Sequence, residues 1–236
     1  MYQPLFIDLF DYILIDLHGT IMVGGDRIDD YRMLARTYRS LGGGLEEGRV
    51  VEILGDVIPE MWDRYRDLKR AGEFGGLLSF LGEHRSTADL PEEERRLIDR
   101  AFGDHELGVI PPQNREVLKH LASVNRLALI SDIWSSPEPF LEYLDETDLL
   151  PLFDAVVFSS AHGACKPSEK LFRTALELIG APSPNKALMI GDSYERDIVG
   201  ARNVGLGTIL VAPSRPPEPK CGDRVVGSFD EVLRAR

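Results

Sequence analysis

Five short apolar runs constrain the fold of this chain more than any other feature. Residues 12–15, 126–130, 155–158, 186–190 and 208–211 are rich in Ile, Leu, Val and Ala and lack polar alternation. That is the pattern of strands buried on both faces of a parallel sheet. Before each of the last four lies a segment with apolar residues at helical spacing: 114–123, 138–147, 168–179 and 195–204. Strand and helix in alternation require right-handed crossovers, so the expected fold is α/β, a doubly wound parallel sheet. The tail reads as a Pro-rich loop over 213–219, an edge strand near Val225 and a short helix from Asp230.

The alternation is interrupted after the first strand. Residues 27–40, 46–71, 74–84 and 91–107 each carry helical periodicity. In the second segment Val50, Val51, Leu54, Val57, Ile58, Met61, Trp62, Tyr65 and Leu68 form one broad stripe, with Gly55 and Pro59 predicting a bend or break. Pro91 followed by Glu92, Glu93 and Glu94 marks a helix start suited to the positive end of the dipole. The expected organisation is a core of residues 1–20 and 109–236 with an inserted α-helical cap of residues 21–108, connected through Gly24-Gly25 and residues 108–112. Arg64, Arg66, Lys69 and Arg70 read as solvated surface. Trp62, Phe74 and His84 are candidates for a pocket wall, with core packing expected of the aromatics and exposure of the histidine.

The chain has 236 residues, a formal charge of -12 and a pI near 4.9. A field of that sign repels polyanions, which argues against nucleic acid or an anionic membrane as partner. A local cation can still admit a small phosphorylated molecule. Cys165 and Cys221 are too few for a disulfide framework or a zinc site. No basic leader precedes the first strand, and no apolar run approaches the ~18 residues of a membrane span. The expectation is a cytoplasmic protein, monomer or homodimer.

Chemistry-bearing residues sit where the predicted strands end. Asp16 closes the first, with Gly19 permitting a sharp turn beside it. Ser131-Asp132 closes the second, Lys166-Pro167 follows the third, and Gly191-Asp192 closes the fourth with Asp197 in the next turn. Carboxyl ends of parallel strands share one edge, where open α/β sheets bind ligands. A carboxylate, a hydroxyl, an ammonium and two further acids would then face one crevice.

These fragments in this order resemble the haloacid dehalogenase superfamily, most of whose members are phosphatases and related phosphotransferases. Residues 16–20 are similar to its first motif, 129–132 to the second, Lys166-Pro167 to the third and 191–197 to the fourth. The resemblance covers residues 12–20 and 111 to about 211, a Rossmann-like core, and the helical insert lies where the family places a cap. It implies Asp16 as a nucleophile forming an aspartyl-phosphate that water then cleaves, one hard displacement becoming two easier ones. It implies Mg²⁺ among Asp16, the backbone carbonyl of His18 and Asp192, an oxygen-rich shell suited to that ion. Asp197 would orient a metal-bound water or hold Lys166. Ser131 and Lys166 would bind the phosphoryl group of a small phosphorylated metabolite. Asp132 is expected to cap or turn its loop.

One position departs from the family's phosphatase pattern. The residue two after the nucleophile is usually Asp, the group that protonates the leaving oxygen and activates water; here it is His18. Histidine, with an unperturbed pKa near ~6.5, is capable of the same transfers. Three readings follow: His18 substitutes as general acid/base, the intermediate turns over slowly or the substrate is unusual, or the protein binds and regulates without turnover. The dehalogenases carry Tyr at this position and need no metal, against which Asp192 and Asp197 argue. The phosphonatases use a cap lysine, for which the sequence offers only Lys69. Cys165 and His162 read as a small packed residue and a loop residue.

Overall fold

The computed structural model describes residues 5–25, 30–214 and 222–235. Cys221, the start of the helix expected from Arg27 and most of the Pro-rich loop lie outside these residues. Among the described residues one parallel sheet is built from β1 (Tyr12–Ile15), β2 (Arg126–Ser131), β3 (Ala155–Phe158), β4 (Ala187–Gly191), β5 (Gly207–Val211) and β6 (Arg224–Val226). Their spatial order is β3-β2-β1-β4-β5-β6. β1 is central, paired with β2 through Ile15↔Leu129 and with β4 through Ile15↔Ile190. The order reverses there, with later strands laid down first on one side and then on the other. That switch opens a crevice at the carboxyl end of β1.

Apolar side chains of the strands serve two clusters, one on each sheet face. Ile13, Ile15, Leu129 and Ile190 join one, and Leu14, Ala128, Ile130 and Met189 the other. Burial on both faces is why these strands read as continuous apolar runs. β1 is followed by α1 (Tyr31–Ser40), α2 (Glu47–Arg66), α3 (Leu77–Glu83) and α4 (Glu92–Glu106), packed round a separate apolar cluster that also takes in Trp134 and Cys165. The chain passes to and from these helices through paired backbone: Val23 and Val109 exchange N–H···O bonds of 2.9 Å in both directions. α5 (Pro112–Val124), α6 (Glu138–Glu146), α7 (Ser159–His162), α8 (Glu169–Leu178) and α9 (Val199–Asn203) complete the α/β alternation.

Several boundaries differ from the sequence expectation. α2 contains Pro59 and runs from Glu47 to Arg66 without a break. It ends at Arg66, after which Leu68–Glu73 forms a 3-10 turn with Asp67 capping the Lys69 N–H. The helix expected over 195–204 instead opens as a π-helical turn, Tyr194–Ile198, and becomes α-helical only at Val199. His84, expected on the surface, is half-buried, with its Nδ1 2.7 Å from Ser86 Oγ. Phe74 packs in the core as expected, whereas Trp62 stays 37% exposed. No helix among the described residues is long and apolar enough to cross a membrane.

Candidate active site

Asp16 is fixed at the end of β1 by its own N–H, which donates to the Ile190 carbonyl at 3.0 Å. Its carboxylate is buried and engaged on both oxygens. Oδ2 accepts from Thr20 Oγ1 at 3.0 Å, and Oδ1 accepts from Lys166 Nζ at 2.5 Å and from Ser131 Oγ at 3.3 Å. The same ammonium donates to Asp197 Oδ1 at 2.6 Å. Asp197 Oδ2 accepts the Ser193 N–H at 2.9 Å, and Ser193 Oγ in turn accepts the Arg196 N–H at 3.3 Å. This reciprocal cap starts the π-helical turn and turns Asp197 inward, in keeping with the tendency of π-bulges to occur at functional positions. The exposed Asp192 completes the group: one carboxylate oxygen from each of Asp16, Asp192 and Asp197 lies within 4.8 Å of the others.

Two glycines make room for this convergence. Gly19 has φ +76°, and a Cβ there would sit 2.2 Å from Asp192 Oδ2. A Cβ on Gly191 would sit 2.4 Å from the Asp197 carboxylate carbon. Any side chain at either position would therefore displace one of the acids.

Charge is unevenly balanced here, with three carboxylates against one ammonium. Burial pushes Asp197 up to about 7, against the pull of Lys166, and the negative charge of Asp16 adds to the rise. Asp192, open to solvent on one side and crowded by protein on the other, is pushed up to about 6 by partial desolvation, with the negative charge of Asp16 adding to the rise. Burial opposes the Lys166 charge, but Asp16, Asp197 and Asp132 outweigh it and hold the ammonium well above its ordinary value. A further cation would relieve the carboxylate repulsion. The donor set fits a small hard divalent ion: all oxygen, anionic, and close enough for coordination distances near ~2.1 Å.

Of the residues singled out from sequence, Asp16, Ser131, Lys166, Asp192 and Asp197 are gathered at one edge. The side chain of His18 is directed elsewhere. Its Nε2 lies 3.1 Å from the backbone carbonyl of Glu106, and its ring packs edge-on against Phe140 at 5.5 Å. Because a carbonyl only accepts, Nε2 is the donor in this contact. Cys165 is a buried, packed thiol pushed up to about 12 by burial. His162 closes α7, and its carbonyl accepts from Lys170. Lys69 is exposed in the 3-10 turn.

Several neighbours carry no local sequence signal. Asp132 does more than turn its own loop: Oδ1 accepts the Lys166 N–H at 2.9 Å, and Oδ2 lies 3.4 Å from Arg196 Nη1. The buried Glu106 carboxylate accepts from the N–H groups of Trp134 at 2.6 Å and Ser135 at 2.9 Å, and from Ser135 Oγ at 2.7 Å. It thereby anchors the loop after β2. Thr20, four residues from Asp16, was visible in the sequence only as part of the first motif.

The profile of haloacid dehalogenase-like hydrolases matches residues 10–205. The chain is 32% identical over 149 residues to a phosphoserine phosphatase of Thermus thermophilus, covering 61% of this chain and 58% of that protein. It is 39% identical over 77 residues to the pyrimidine 5'-nucleotidase YjjG of Escherichia coli, 33% of this chain and 34% of that one. These alignments thus span between about a third and three fifths of the relatives' lengths. Among solved structures it is similar to a HAD phosphatase from Thermococcus onnurineus, with a TM-score of 0.64, 25% identity and coverage of 95% and 97% of the two chains. The fold of an L-2-haloacid dehalogenase from Xanthobacter autotrophicus also superposes, with a TM-score of 0.60 at 21% identity. With that profile spanning most of the sequence and the family's motifs meeting at one sheet edge, the chain belongs to the haloacid dehalogenase-like hydrolases.

Proposed function

We propose that this protein is a phosphatase that hydrolyses a small phosphomonoester with Mg²⁺ bound. The observation that carries the reading is Lys166 Nζ held between Asp16 and Asp197 while Asp192 closes the carboxylate group. Phosphatases and a nucleotidase among the relatives support a small phosphorylated substrate. Asp16, Asp192 and the backbone carbonyl of His18 would hold the ion. Asp197, with both oxygens already hydrogen-bonded, holds Lys166 and would orient a water of the ion. When bound, Mg²⁺ supplies Lewis-acid polarisation of the phosphoryl group and relieves repulsion between anionic nucleophile and anionic substrate.

The remaining steps belong to the chain's own side chains. Thr20 and Ser131 orient the Asp16 carboxylate so that one oxygen attacks phosphorus, forming the aspartyl ester as the bond to the leaving oxygen breaks. Lys166 neutralises charge on Asp16 and on the transferring group, and Ser131 swings its single O–H from Asp16 to a phosphoryl oxygen when substrate binds. His18 protonates the leaving oxygen and then takes a proton from the water that cleaves the ester. It acts as the acid with both ring nitrogens protonated, giving up the Nδ1 proton while Nε2 keeps its contact with the Glu106 carbonyl, and Nδ1 then takes the proton from water. Residues 21–108 act as a cap over this crevice on a core of residues 1–20 and 109–236, in a cytoplasmic protein.

A screen of phosphomonoesters with purified protein tests the reading, with hydrolysis expected only when Mg²⁺ is supplied and abolished by EDTA. Activity indifferent to EDTA and to Asp16→Asn would overturn it. One observation favours a second reading: the His18 contact with the Glu106 carbonyl suits a protein that binds phosphate and turns it over poorly. Under the first reading His18→Ala lowers turnover by roughly 10²- to 10⁴-fold; under the second His18→Asp raises it.

A further inference from the structure

We infer that Arg196 is a positioning residue that fastens the end of α2 to the loop carrying Lys166, an inference that rests on the phosphatase reading above. Arg196 follows Glu195 in the π-helical turn, next to Asp197, but its guanidinium works across the seam between the core and the inserted helices. Nη1 donates to the Lys166 carbonyl at 2.6 Å, and Nη2 donates to the Tyr65 carbonyl at 2.6 Å. Its central carbon stands 3.5 Å over the Tyr65 ring. Tyr65 lies in the last turn of α2, where carbonyls lack partners within the helix and carry the negative end of its dipole. Arg196 therefore caps a helix that begins far away in the sequence.

The contacts close into a ring. Tyr65 Oη donates to Asp132 Oδ2 at 3.3 Å, the oxygen that also lies 3.4 Å from Arg196 Nη1. Asp132 Oδ1 accepts the Lys166 N–H. The peptide groups on both sides of the Lys166 Cα are thus pinned, the N–H by Asp132 and the C=O by Arg196. At the other end of that side chain Nζ meets Asp16. A planar guanidinium is able to serve two carbonyls and stack on a ring together, which an ammonium is not. Displacement of α2 is transmitted through this ring to the backbone from which Lys166 reaches the nucleophile.

The test uses the full chain, Mg²⁺ and p-nitrophenyl phosphate, with Arg196→Ala and Arg196→Lys assayed below their unfolding transitions. Tryptophan emission is recorded in parallel. The only two tryptophans, Trp62 and Trp134, lie 5.9 Å and 5.5 Å from the Tyr65 ring. Both variants are expected to lose about 10²-fold in kcat, the scale of a misplacement near 1 Å, with shifted emission. Millimolar guanidinium should restore part of both signals in Arg196→Ala and neither in Lys166→Ala. A folded Arg196→Ala protein with wild-type kcat, or one that guanidinium does not rescue, overturns the inference. If both variants fail to fold, Tyr65→Leu carries the test: it keeps the backbone carbonyl but removes the ring and hydroxyl, and unchanged kcat in it overturns the inference. If the wild type hydrolyses nothing, the phosphatase reading fails, while a guanidinium-reversed emission shift still supports the clasp.

Discussion

The molecule buries two sets of carboxylates and treats them differently. At the strand ends Asp16 and Asp197 meet an ammonium, Lys166, and one another. At the seam Asp99 and Glu106, seven residues apart on one face of α4, meet backbone N–H groups: Ser136 for Asp99, Trp134 and Ser135 for Glu106. Amide donors hold an acid as a joint between segments. An ammonium shared by several acids leaves a surplus of negative charge at a place open to a ligand, because Asp192 is exposed there. The comparison separates carboxylates that fasten from carboxylates positioned for chemistry, although both are buried acids.

Substitutions in the two sets should therefore have different readouts. Asp16→Asn removes the proposed nucleophile and should lower phosphomonoester turnover by on the order of 10⁴- to 10⁶-fold while leaving the thermal transition near that of the wild type. Turnover within tenfold of wild type would place Asp16 with the joints. Lys166→Ala strands buried acids without their counter-charge, and a loss of about 3–5 kcal/mol in urea unfolding is expected at neutral pH. A loss below about 1 kcal/mol would mean that water already compensates these carboxylates.

Asp99 sharpens the contrast through pH. Burial raises its carboxyl to about 6, so the folded state binds a proton there that the unfolded chain has released. Ionisation then costs stability as pH rises from about 4 to about 6, by at most about 3 kcal/mol for this one group. Subtracting the Asp99→Asn profile from that of the wild type should expose a fall over this window; a flat difference would show that the seam holds Asp99 without desolvating it. The smallest effect is expected at Gly103, between the two acids on α4. A Cβ there would come within 2.7 Å of Pro139 Cγ and 2.9 Å of Ser135 Oγ. Overpacking of about 1–3 kcal/mol is offset by a gain of about 1 in helix propensity, so Gly103→Ala should destabilise by roughly 1 kcal/mol. A stabilised variant would show that the seam has slack.

The strands and the acids that end them were legible because both signals are local. A run buried on two faces is apolar at every position, and parallel pairing brings each terminal residue to the same edge whatever its place in the chain. Asp16, Ser131 and Asp192 follow from that rule alone; Lys166, beyond α7, and Asp197, in the turn after β4, needed the order of the motifs as well. Arg196 and Tyr65 do not: they meet across 131 positions, and neither has a spacing that announces the other. Glu106 looked like one more acid near a helix end, since nothing in its neighbours reveals three donors arriving from residues 134 and 135. The π-helical turn at Tyr194 escaped for a related reason, being imposed by the Asp197 and Ser193 bonds and not by helix propensity. Pro59 did not end its helix, which runs on to Arg66.

The mutual hydrogen bonds of Val23 and Val109 place the outgoing and returning chain side by side, like the open end of a hairpin. The chain enters and leaves the inserted helices at that one rung, while Asp99, Glu106 and Arg196 tie the same helices to the core along the seam. Deleting 24–108 and closing the gap with a two-residue Gly-containing turn should preserve the register of β1 against β2 and β4, leaving a minimal scaffold that exposes Trp134 and Cys165.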